Sequence, residues 1–325
     1  MPDQIPRLKP RSLRPGDTVG IIAPASNIKP ELLDAGCKVL RDLGYKPVYS
    51  PSILSQDLYF AGDVHRRISE LEEMFTRDDV RAILCARGGY GSNYLLNRIS
   101  LDTIRTHPKI FCGYSDITSL LTWFTDAAGL VTFHGPMVTK DFAQPDGVDL
   151  PSWQAALGGL SAWHLGASED SCIRPLVEGS ASGMLYGGCL SMLSASLGTP
   201  YEVQTSGTIL FIEDVATRPY QIDRMLMQLK LAGKFDNVKG FVIGEMLDCV
   251  QTQNQGYTLD EVILRVIGDL GVPIAAGLRS GHVSRSNVTL PLGVCASFSV
   301  TTNGMSLMTE EAATAPAAVS SSSRA

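Results

Sequence analysis

No apolar run in this chain of 325 residues approaches the roughly 18–20 residues that a bilayer-spanning helix needs. The opening Met-Pro-Asp-Gln-Ile-Pro-Arg lacks the apolar core of a secretory signal. Neither Cys-x-x-Cys nor His-x-x-x-His occurs, so zinc-type spacing is missing and no metal or other cofactor is expected. The seven cysteines are odd in number and scattered at 37, 85, 112, 172, 189, 249 and 295. Most sit inside apolar runs and read as small core residues in a reducing cytosol, not as a disulfide framework. Excess positive charge is also lacking: 27 Lys and Arg against 33 Asp and Glu leave a net charge of −6, which argues against nucleic acid as a partner. At 44% hydrophobic and 18% charged, what remains is an ordinary globular composition, long enough for two domains or one large one.

Short apolar runs alternate with amphipathic stretches. Thr18–Pro24 is an apolar run, the type buried on both faces of a parallel sheet, and Val80–Ala86 is expected to be the next strand. Between them a helix is expected from Pro30 to the stop at Gly44, a brief strand at Pro47–Tyr49, and a charged helix capped by Asp63. A helix through Leu95 and Leu96, a strand and helix around Ser115, and the strand Leu130–Phe133 complete a first unit, residues 1–145. Its alternation predicts a parallel sheet flanked by helices. From 146 to 180 proline and glycine break the pattern, and a linker with one short helical piece is expected. Alternation resumes over 181–311, with strands at Ser182–Gly188, Thr208–Ile212, Gly240–Gly244 and Pro273–Gly277 and helices at Leu190–Leu197, Pro219–Lys230 and Leu259–Leu270. A hairpin around Asn303-Gly304 ends it, so this second unit reads as α/β with mixed strands. The Ala- and Ser-rich tail, 312–325, is expected to be disordered.

Chemistry concentrates at Lys109-Ile-Phe-Cys-Gly-Tyr-Ser115-Asp-Ile-Thr118: an apolar strand, a sharp turn with Ser at its apex, then a helix. This is the layout of a nucleophile elbow, with Ile117 where the second glycine of Gly-x-Ser-x-Gly usually stands. A helix start there would aim free N–H groups at a developing oxyanion. Ser115 could equally cap the helix. A serine nucleophile needs a base and a group to orient it. Of five histidines, His134 and His282 lie just past strands; His65 is on the charged helix, His107 precedes Pro108, and His164 falls in the linker. Glu213 and Glu245 each directly follow a buried-type strand. The loop Arg87-Gly-Gly-Tyr-Gly91 would share the same sheet edge, its glycines permitting close approach to a substrate or simply making a tight turn.

Gly20-Ile-Ile-Ala-Pro24, Ala86-Arg-Gly-Gly-Tyr-Gly91, Gly113-Tyr-Ser-Asp-Ile117, His134-Gly-Pro-Met137, Tyr186-Gly-Gly-Cys-Leu190, Phe211-Ile-Glu-Asp-Val215, Tyr220-Gln-Ile-Asp-Arg224 and Gly281-His282 occur in this order over about residues 15–310. Together they resemble the LD-carboxypeptidase family of serine peptidases, which includes murein tetrapeptide carboxypeptidases and microcin C immunity peptidases. The resemblance implies Ser115 as nucleophile, Glu213 as acid and His282 as base, with the nucleophile on the first domain and the other two on the second. It implies hydrolysis of an amide between an L-centre and a terminal D-Ala. Acyl-transfer chemistry then makes the N–H groups of Gly89 and Asp116 the oxyanion donors. Arg87, Gly88 and Tyr90 are the expected substrate contacts, Arg87 for a terminal carboxylate. The partner expected is a small peptide or muropeptide in the cytoplasm, with a homodimer open. An α/β-hydrolase esterase, with the same three residues on one sheet, and an anion-binding module cradling a ligand at Gly88–Gly91 are the rival readings.

Overall fold

In a computed structural model, which describes residues 6–165, 172–253 and 255–316, the chain folds as two α/β units packed against each other. The first sheet takes β1 (Thr18–Ile22), β2 (Lys46–Val48), β3 (Val80–Cys85), β4 (Ile110–Gly113) and β5 (Thr132–His134), all parallel and ordered β2-β1-β3-β4-β5. The residues of β3 and β4 are almost all buried, as their apolar runs require. The helix Pro30–Asp42 turns Leu33, Cys37 and Leu40 inward, and the helix Val64–Thr76 starts where the Asp63 carboxylate accepts the Arg66 N–H at 2.8 Å. β1 sends its connection to one side and β3 to the other. The loops after these two neighbours therefore part and leave a crevice beyond their carboxyl ends.

The second sheet is built from β6 (Arg174–Val177), β7 (Gly179–Cys189), β8 (Thr208–Glu213), β9 (Gly240–Gly244) and β10 (Ile274–Leu278). β7 to β10 are parallel, and β6 closes one edge antiparallel to β10. β11 (Leu290–Leu292) leaves this unit and joins the first sheet antiparallel to β5. β12 (Cys295–Thr301) and β13 (Gly304–Thr309) form the terminal hairpin, with β12 on β7, giving the order β13-β12-β7-β8-β9-β10-β6. One apolar core runs from the first unit into the second through Leu185, Phe211, Val242 and Leu278, while a second core, around Leu210, Leu226 and Ile263, fills the other face. At about 1.5–3 kcal/mol for each fully buried large apolar side chain, the shared core fixes how the two sheets face each other. No helix among the described residues is long and apolar enough to cross a membrane.

Four expectations need correction. Residues 146–180 are more than a linker. The helix Leu150–Gly158, capped by Asp149, puts Trp153 into the first core at 5.1 Å from the Phe142 ring, and β6 is a strand of the second sheet. Residues 166–171 of that stretch lie outside the described residues. The second unit does not keep 181–311 to itself, because β11 completes the first sheet. No helix passes through Leu95 and Leu96. A single 3₁₀ turn, Ser92–Tyr94, gives way to turns, and the Ser92 N–H and hydroxyl both bond to Asp116. The helix comes later, at Leu101–Thr106. The tail is ordered beyond Ala312, with Ala313 and Thr314 buried and Ala315 pairing with the chain at Pro10–Arg11; residues 317–325 lie outside the described residues.

Candidate active site

β4 ends at Gly113, Tyr114 is fully extended, and Ser115 then takes φ +63°, the left-handed region that a serine pays to occupy. A 3₁₀ turn over Ser115–Ile117 follows directly and runs into the helix Thr118–Trp123. The serine is not the cap: Tyr114 holds that position and no side chain caps the turn. The large Ile117 is tolerated in place of a second glycine because Gly113 has no Cβ. One added there would come within 3.0 Å of Ile117 Cγ2.

The Arg87–Gly91 loop lies directly on this elbow. A Cβ on Gly88 would approach Ser115 Cβ to 2.8 Å, and one on Gly89 (φ +102°) would meet Ser26 Oγ at 2.4 Å, so only glycine fits at either position. Ser26, in the loop after β1, holds the turn by accepting the Tyr90 N–H at 3.1 Å. Asp116 is buried, and its carboxylate accepts the Ser92 N–H at 2.8 Å while burial raises its pKa. It therefore faces away from Ser115 and can offer the cleft only its amide, one of the unpaired N–H groups of a first helical turn.

Glu213 ends β8 and is wholly buried, whereas Glu245, just past β9, lies aside and accepts the Ser284 N–H at 3.1 Å. Glu213 Oε2 receives the His282 backbone N–H at 3.0 Å and lies 2.8 Å from His282 Nδ1. That contact puts the Nδ1 proton toward the carboxylate and leaves Nε2 as the acceptor. Burial would push the Glu213 carboxyl up, but the charge of His282 and its hydrogen bonds, with the His134 ring beside them, outweigh burial and hold the group at about 2. Gly281 (φ +92°) makes the turn that brings His282 back; a Cβ there would sit 2.6 Å from Glu213 Cδ. Asn287 clamps that turn, accepting the Gly281 N–H and donating to its carbonyl at 2.9 and 3.2 Å.

Ser115 and His282 line one cleft of about 520 Å³, without a direct hydrogen bond between them. Arg87, Gly88 and Gly89 share its wall with Lys29, Lys140 and Thr139. Tyr90 does not line it: its ring packs with the exposed Tyr59 and Tyr94 around the buried Phe60. Sequence reasoning missed Ser26, Lys29 and Lys140. The first two follow β1 at the sheet edge where sites form, a signal that was readable. Lys140 is set by tertiary packing, its ammonium 5.5 Å from the Tyr114 ring centre. Among the described residues no group of three or more His, Cys, Asp or Glu is placed to hold a metal ion.

Two domain families match this chain: the LD-carboxypeptidase N-terminal domain over residues 19–135 and the LD-carboxypeptidase C-terminal domain over 182–298. The chain belongs to the LD-carboxypeptidase family of serine peptidases. Within that family it is 41% identical to a probable murein peptide carboxypeptidase of Bacillus subtilis, over 89% of this chain and 91% of the relative. It is 30% identical to the microcin C7 self-immunity protein MccF of Escherichia coli, over 86% and 89%. Among solved structures, an MccF-like protein from Bacillus anthracis superimposes with a TM-score of 0.85 at 28% identity, covering 94% of this chain and 99% of that one. Like its family, the chain is a carboxypeptidase. The two LD-carboxypeptidase matches fall one on each unit, so Ser115 belongs to the N-terminal domain and Glu213 and His282 to the C-terminal one.

Proposed function

We propose that this enzyme releases the terminal D-Ala from murein tetrapeptides, as a cytoplasmic step of peptidoglycan recycling, through a Ser115–His282–Glu213 acyl-enzyme mechanism. The observation that carries this reading is the buried Glu213–His282 pair opening onto the cleft that holds Ser115. His282 Nε2 takes the Ser115 proton as Oγ attacks the scissile carbonyl carbon. The oxyanion forms against the amides of Gly89 and Asp116. Collapse breaks the C–N bond, and the D-Ala nitrogen leaves with the proton from His282. Water then adds to the acyl-enzyme, gives its proton to His282 and frees Ser115 and the shortened peptide. Glu213 stays ionised and stabilises the imidazolium.

The substrate class rests on the murein-acting relative and on the charge of the cleft. Lys29, Arg87 and Lys140 bring three cations to its wall, which suits a peptide ending in a carboxylate and carrying others along its length. Cleavage of a peptide–nucleotide antibiotic is the second reading, supported by the likeness to the self-immunity protein. An esterase with all three residues on one sheet is disfavoured, because Ser115 follows β4 of the first sheet and Glu213 ends β8 of the second. Mass spectrometry of a muropeptide mixture before and after incubation tests the proposal. Tetrapeptides should lose one alanine and become tripeptides, whereas unchanged tetrapeptides alongside a cleaved peptidyl nucleotide would favour the second reading.

A further inference from the structure

His134 takes no part in the mechanism just described, yet it is as buried as Glu213 and faces it. It ends β5, paired with Gly113 of the strand that leads to Ser115. Its Nε2 lies 3.8 Å from Glu213 Oε1, the oxygen that His282 does not use. Among the described residues neither of those two atoms has a hydrogen-bond partner. On the other side of the ring Nδ1 lies 2.9 Å from the Ser280 hydroxyl, two residues before His282. The Phe211 ring packs against the imidazole at 5.1 Å, and Gly281 leaves room for both groups, since a Cβ there would come within 2.8 Å of His134 Cε1.

A buried carboxylate oxygen left unpaired is costly, as is a buried ring nitrogen without a partner. A buried ring nitrogen aimed at that oxygen meets both needs. With the Ser280 hydroxyl donating to Nδ1, the ring carries its proton on Nε2 and presents it to Oε1. We infer that His134 is a positioning residue: it holds the second oxygen of Glu213, and so fixes from the nucleophile domain the carboxylate that orients His282 on the other. The contact couples the two half-sites, because His134 is tied by the sheet to the Ser115 strand and Ser280 by the chain to His282. This inference rests on the proposed triad.

The test is kcat and KM for D-Ala release from an L,D-tetrapeptide by His134→Phe, His134→Gln, Ser280→Ala, Glu213→Gln and the double variant His134→Phe/Glu213→Gln, with a thermal melt of each. His134→Phe should lose about 10²-fold in kcat with KM within about threefold. Gln, whose amide can reach the Nε2 position, should recover to within about tenfold of wild type. Ser280→Ala, a small change that keeps the packing, should cost about three- to tenfold in kcat. In the Glu213→Gln background His134→Phe should add almost no further loss, because its effect passes through the carboxylate. A phenylalanine variant that melts normally and stays fully active overturns the inference, as does a loss that multiplies undiminished on Glu213→Gln. If His134→Phe does not fold, Ser280→Ala at wild-type kcat overturns it. A Glu213→Gln enzyme at wild-type rate removes the triad reading and this inference together; a crippled Glu213→Gln beside an unaffected His134→Phe removes this inference alone.

Discussion

Ser115 stands in a backbone conformation that glycine would adopt without strain. Removing its hydroxyl should therefore separate activity from stability. Ser115→Ala should lose about 10⁴–10⁶ in kcat. Ser115→Gly should be as inactive yet melt about 2 °C higher, the strain relief of about 1 kcal/mol outlasting the added freedom of the unfolded chain. A melt of the two variants beside wild type checks this, and a Gly variant that melts lower would mean the elbow is not strained. The two acidic candidates separate in the same way. Glu213→Gln should fall about 10³–10⁴-fold in kcat. Glu245→Gln, whose carboxylate only accepts a loop N–H, should stay within about tenfold. At the level of single residues the sequence carried the apex serine and narrowed acid and base to two pairs. Residue patterns alone did not choose within the pairs, because Glu213 and Glu245 both follow apolar strands; the family resemblance is what pointed to Glu213 and His282. Tyr90 shows the same limit: its place in the glycine loop was readable, but the direction of its ring was set by Tyr59, Phe60 and Tyr94.

Among elements, the apolar strands and the helices with a capping residue and one apolar face were legible, since both signals are local. What escaped depends on distant partners. β11 is three residues long and makes sense only beside β5. β6 is short and without a fully buried residue and is held as an edge by β10. Leu95 and Leu96 read as helical, but they lie in turns after the single 3₁₀ turn Ser92–Tyr94, which packs against Asp116. The turn at Gly281 is an element-scale prediction of its own. Gly281→Ala should drop kcat more than about 10²-fold and destabilise by about 2–3 kcal/mol, because the new methyl meets the Glu213 carboxyl and His134 while the backbone keeps φ +92°. Kinetics and a denaturant melt measure both; an alanine variant with normal kcat would show that the wedge between Glu213 and His134 is looser than these distances.

For the whole molecule, buried carboxyls set the pH dependence of stability. Glu213, lowered from 4.5 to about 2, adds stability above pH 4.5 and gives it up as pH falls toward 2. Asp126 at the domain interface accepts the Tyr186 hydroxyl at 2.6 Å, and Asp141 accepts the Met137 N–H at 2.8 Å. Burial raises them from 3.8 to about 7 and about 6 despite those bonds, so they act in reverse and cost stability as pH rises through that range. The melting temperature should peak near about pH 4–5, with Asp126→Asn flattening the fall toward pH 8 and Glu213→Gln the fall toward pH 3. A melting temperature that climbs steadily from pH 5 to 8 in wild type would contradict this.

The proposed catalysis turns on one arrangement: a serine on one domain served by a histidine and a carboxylate on the other. The direct measurement is kcat for D-Ala release from an L,D-tetrapeptide by wild type, Ser115→Ala, His282→Ala and the double variant Ser115→Ala/His282→Ala, each verified as folded. Residues acting as one unit should each cost about 10⁴–10⁶-fold singly, and the double variant should be no slower than the single ones. Two partial losses that multiply in the double variant, or a Ser115→Ala enzyme retaining a tenth of wild-type turnover, would contradict it.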